Sequence, residues 1–123
     1  MKPRDRTIET PQACPSATTC EAVGSLLEGV VVPITNDTPG AAQAVSGTKQ
    51  LHAVACPRAT TCEAVGSLLE GVVVPITNGT PGTAQAVSGT FDLRGVACPS
   101  ATTCEAVGYN SSFQGVVVTI TRP

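Results

Sequence analysis

The residues with the most chemical potential in this chain are six cysteines, arranged as Cys14 with Cys20, Cys56 with Cys62, and Cys98 with Cys104. Each pair encloses five residues, in the segments CPSATTC, CPRATTC and CPSATTC. Zinc sites space near cysteines by about two to four residues and recruit a second pair or histidines. Here the gap is longer, and His52 is the single histidine. A local disulfide in each segment is therefore expected. Proline and small polar residues suit a tight loop that brings its ends together. Closing a loop of about seven residues is worth about 2 kcal/mol in the chain-entropy treatment. Disulfides imply an oxidising compartment, so the chain is expected to be secreted or at a cell surface. The N-terminal MKPRDRTIET has no apolar core and does not read as a signal peptide.

Little else has catalytic spacing. His52 has no acid or nucleophile placed to work with it and reads as a surface or strand-edge residue. Glu21, Glu63 and Glu105 recur in the string CEAVG. In a closed ring they would form a carboxylate belt, a conceivable cation site; a hydrogen bond or salt bridge copied with each repeat is the favoured reading. Asn36, Asn78 and Asn110 open Asn-x-Thr/Ser triplets and read as turn residues. No metal and no cofactor is expected.

Composition narrows the partners. Net charge is −2 and 13% of residues are charged, which argues against the clustered basic surface a nucleic-acid binder needs. With 41% apolar residues the chain is not of disordered type. No apolar run approaches the roughly 20 residues of a membrane-crossing helix, so neither nucleic acid nor membrane is an expected partner.

These residues ride on an internal repeat. Residues 13–54 and 55–96 differ at seven of 42 positions. A third copy keeps ACPSATTCEAVG, replaces SLLEG with the longer YNSSFQG, and resumes with VVV. Within one copy the pattern is that of strands: LHAVAC (51–56), TCEAVGS (61–67), GVVVPIT (71–77) and AQAVSGT (84–90), separated by the cysteine loop, the SLLE connection and the turn segment NGTPGT. No window has a clean 3.6-residue apolar period. The fold class is all-β, as three four-stranded antiparallel repeats.

Two architectures use units of this length, the β-propeller and the β-trefoil. A trefoil fills one central core with large side chains, but this chain has two Phe, one Tyr and no Trp. The runs Val30-Val31-Val32 and Val72-Val73-Val74 put apolar groups on both sheet faces, as expected for a sheet held between two others. Propeller blades are the favoured reading and a trefoil the alternative. Pro33 and Pro75, late in the third strand, predict a bulge or an outward-facing gap.

The string CPSATTCEAVG, preceded by the strand in LRGVACPS and followed by GVVV, resembles repeats of secreted bacterial proteins with β-propeller-like blades, distant relatives of the sialidase-type Asp-box blade. The resemblance covers residues 13–123. The turns TNDTPGAAQ and TNGTPGTAQ lack the Asp-box tryptophan, so the resemblance implies a fold rather than an activity.

On this reading the chain is one repeat domain, residues 1–123: a closing strand at 4–12, then blades at 13–48, 49–90 and 91–123. The third copy stops after its third strand, and the N-terminal segment is expected to supply the missing fourth. Three blades are too few to close a ring, which usually holds about four to eight, and the exposed end faces are copies of the internal interfaces. Association with itself is expected, as a homodimer of six blades or a homotrimer of nine.

The copies differ most at the connection between repeats: Lys49 against Phe91, Gln50 against Asp92, His52 against Arg94, Ala53 against Gly95. Variation on a constant frame is how loops acquire binding specificity. With Tyr109 and Phe113 in the altered hairpin of the third copy, Lys49, His52, Phe91, Asp92 and Arg94 form the candidate ligand-facing set. A sialidase-type enzyme would need an arginine cluster, a tyrosine nucleophile and acidic partners; Arg58, Arg94 and Tyr109 lie in different copies without a supporting motif. The chain therefore reads as a non-enzymatic scaffold that assembles into a closed propeller, with a glycan- or protein-binding module as the alternative.

Overall fold

In the computed structural model of the chain, residues 12–14, 16, 18–25 and 27–122 are described. They form strands and turns, with no helix among them. The strands are β1 (Gln12–Ala13), β2 (Thr19–Ser25), β3 (Gly29–Thr35), β4 (Thr38–Pro39), β5 (Gln43–Val45), β6 (Gln50–Arg58), β7 (Thr61–Leu68), β8 (Glu70–Thr77), β9 (Thr80–Pro81), β10 (Gln85–Val87), β11 (Asp92–Ser100), β12 (Thr103–Tyr109) and β13 (Gly115–Thr121). They make three antiparallel sheets, one per copy of the repeat.

The middle sheet shows the full unit: β6, β7, β8 and β10 pair in that order, with β9 folded back onto the end of β8. The first sheet repeats it with β1, β2, β3 and β5, plus β4 on β3. The third sheet holds β11, β12 and β13. The expected closing strand at 4–12 lies outside the described residues except for Gln12, which pairs with Ala22 in the first sheet.

Local chemistry explains the turns. Asn36 and Asp37 both have positive φ, as do Asn78 and Gly79. That is the two-residue hairpin turn that Asn and Gly favour, and it sends β4 and β9 back along their neighbours. The second and third cysteine segments are tight hairpins rather than open loops: β6 runs to Arg58 and β7 starts at Thr61, and β11 runs to Ser100 and β12 starts at Thr103. Disulfides Cys56–Cys62 and Cys98–Cys104 clamp these hairpins, and Cys14–Cys20 joins the corresponding positions of the first copy, consistent with an oxidising environment. At the other end of each unit, Thr90 Oγ1 donates to the Val87 carbonyl at 2.7 Å and accepts from Gly71 N at 3.0 Å. Thr48 does the same between Val45 and Gly29.

The prolines resolve as a gap. Pro75 keeps regular register opposite Glu63, so no bulge forms there. Its carbonyl accepts from Gly82 N at 2.7 Å, so its polar edge, lacking an N–H, faces the unpaired stretch between β9 and β10. Pro33 repeats this with Gly40.

The core lies between sheets. Val23, Val31 and Val45 of the first sheet pack on Leu51, Val54, Cys62, Ala64, Val72, Val74 and Ile76 of the middle one. The opposite face of the middle sheet presents Val65 and Val73 to Leu93, Cys104, Ala106 and Ile120 of the third. Alternate valines of one run thus serve two interfaces, as the period of two in a strand requires. Both interfaces are built the same way, head to tail.

Candidate functional site

The ladder of β6 and β7 slips between Leu51 and Ala53, leaving His52 in a bulge, and that of β11 and β12 slips between Leu93 and Gly95, leaving Arg94 in the corresponding bulge. Glycine is needed opposite each slip, because a Cβ on Gly66 or Gly108 would collide with the carbonyl of Gln50 or Asp92. A bulge re-aims its extra residue, and here both reach one group. Arg94 Nε donates to Asp92 Oδ2 at 2.9 Å. His52 Nε2 lies 3.2 Å from Asp92 Oδ1, out of line for a hydrogen bond, so both atoms are buried without a hydrogen-bond partner among the described residues. Tyr109 donates its hydroxyl to Asp92 Oδ2 at 3.3 Å and accepts from Arg94 Nη2 at 3.4 Å. Asp92 is buried and Arg94 half exposed. The hydrogen bond to Tyr109, and then the Asp92 charge, raise the Arg94 guanidinium pKa above its ordinary value.

An aromatic row borders this polar knot. The ring of Tyr109 lies 6.0 Å from that of Phe91 and 5.7 Å from that of Phe113, centroid to centroid. Arg94 sits 5.9 Å from the Tyr109 centroid, within cation–π range. The Phe113 hairpin is held by Asn110, whose Oδ1 accepts from Ser112 N at 2.9 Å and Gln114 N at 3.0 Å. Phe113 has positive φ and is 79% exposed. Of the candidate set, His52, Phe91, Asp92, Arg94, Tyr109 and Phe113 thus converge at the junction of the middle and third sheets. Lys49, whose backbone N–H donates to Ser67 O at 2.8 Å, is exposed and stands apart. A row of partly exposed rings beside a fixed guanidinium can stack on an apolar or sugar face and donate to its oxygens.

The three repeated glutamates do not form a belt. Glu63 is buried and accepts from Arg122 Nε at 2.8 Å and Nη2 at 3.0 Å. Those bonds, opposed by desolvation, raise the pKa of Arg122. Glu105 accepts from Thr119 Oγ1 at 2.9 Å. Glu21 is buried with Oε1 unpartnered, and burial raises its pKa. Asn36 and Asn78 occupy turns, as read from the sequence.

The sequence reading missed Arg122, which takes the place of Asn78 one repeat later. It also missed Val107 and Val117 as a surface pair. The signal for Arg122 was present, since a charged residue had replaced the turn asparagine at a copied position.

No protein-family model, curated protein or solved structure matches the chain.

Proposed function

We propose that the chain is a non-catalytic scaffold of β-propeller blades, secreted or displayed at a cell surface, that closes into a ring by head-to-tail association with further copies of itself. One observation carries this reading. Val107 and Val117 are 48% and 70% exposed on the outer face of the third sheet, whereas their counterparts Val65 and Val73 are 0% and 2% exposed against the next sheet. The same residues at the same register are covered wherever a next sheet exists.

The outward face of the first sheet offers the complement. It carries Ala22, Val30, Val32 and Ile34, the counterparts of Ala64, Val72, Val74 and Ile76, with which the middle sheet covers the first. Such heterologous contacts make a closed ring when the rotation per unit closes. Two chains of three sheets give six blades, inside the usual range. The apolar coverage of both faces of the middle sheet supports blades over a trefoil, whose single core would not separate the copies. Introducing Asp at Val107 and Val117 should convert the oligomer to a monomer in sedimentation analysis with all three disulfides retained. An unchanged mass would contradict the reading.

The aromatic row favours a second reading, a surface for a glycan or a protein. In titrations followed by NMR, a ligand of this surface should perturb Phe91, Tyr109 and Phe113; perturbation confined to the repeated TTCEAVG strands would contradict it.

A further inference from the structure

Two cavities repeat at the end of the sheets opposite the aromatic row. One, of about 180 Å³, lies between the middle and third sheets beside Glu63. The other, of about 330 Å³, lies between the first and middle sheets beside Glu21. Their walls correspond residue for residue, with Cys20, Pro33 and Ile34 of one matching Cys62, Pro75 and Ile76 of the other. They differ in Ser16 against Arg58 and in Asn78 against Arg122.

Beside Glu63 the planar fork of Arg122 lies bidentate on the carboxylate, and its Nη2 also donates to Gln85 Oε1 at 3.1 Å. Beside Glu21 the chain has Asn78 in place of Arg122. Gln43, the counterpart of Gln85, donates instead to the Gly79 carbonyl at 2.7 Å. Glu21 remains only 6% exposed, and its Oε1 is buried with no hydrogen-bond partner among the described residues. A buried carboxylate left so is costly unless a cation reaches it.

We propose that the Glu21 cavity is a binding site for a guanidinium group. The neighbouring copy supplies the chemistry: the corresponding carboxylate, between the same cysteine, proline and isoleucine walls, takes a flat, two-pronged donor, which a guanidinium matches and a spherical cation does not. The group arrives on a small diffusing molecule.

Calorimetric titration with agmatine, a guanidinium on a short flexible chain, tests the assignment. The full chain should bind one equivalent, and Glu21→Gln should weaken binding at least tenfold while keeping a cooperative melt. Arg122→Ala, which empties the second cradle, should add a further equivalent. Absence of binding to the wild type, or binding that survives Glu21→Gln, would overturn the assignment.

Discussion

His52 and Arg94 occupy the same bulge in successive sheets, and both side chains turn toward one buried carboxylate, that of Asp92. Two copies of one backbone irregularity have thus been given different side chains and a shared partner. Phe91, Tyr109 and Phe113 then extend the cluster to the surface.

Removing that partner should be felt locally. Asp92→Ala leaves the Tyr109 hydroxyl and the Arg94 Nε without their acceptor, a loss of about 1–3 kcal/mol of stability by denaturant melting. Tyr109 is the one tyrosine and the chain has no tryptophan, so its fluorescence reports on this site alone. The emission should change in folded Asp92→Ala and stay constant in Gln50→Ala, the corresponding exchange one repeat earlier.

Leu69 closes the hairpin of β7 and β8 with φ at 64° and 89% exposure. A left-handed angle is unfavourable for leucine and tolerated by asparagine. Leu69→Asn should therefore stabilise the chain by about 0.5–1 kcal/mol, read as a rise in the denaturation midpoint with an unchanged slope.

Glu21 should make stability depend on pH. Burial raises its pKa, so the folded chain holds this proton more tightly than the unfolded one. Its contribution is then full below the unfolded value of about 4.3 and is lost as pH climbs through the raised folded value. The Tm of the wild type should fall over that window relative to Glu21→Gln. Two curves that remain parallel would contradict the burial argument.

Much of the fold was legible because the sequence states it three times. The 42-residue period, the cysteine spacing and the valine runs each point to the same short strands, and the disulfides close where the spacing puts them. Pro75 announced a gap, since a residue without an N–H must sit where no partner strand asks for one. Repetition also concealed things. Glu21, Glu63 and Glu105 read identically, yet Glu63 meets an arginine from the next sheet, Glu105 a threonine of its own sheet, and Glu21 Oε1 no hydrogen-bond partner among the described residues. The clustering of His52 with Asp92 depends on bulges, and a register slip has no signature in a string of small apolar residues.

The mass of the full-length chain in solution tests the account most directly. Light scattering across a concentration series should give a discrete particle near twice the 12.4 kDa chain mass, if, as proposed, the faces bearing Val107 and Val117 in one copy and Val30 and Val32 in the next cover each other. A trimer would keep the blades and change only their number in the ring. A monodisperse particle of 12.4 kDa at every concentration would contradict self-assembly and the ring with it.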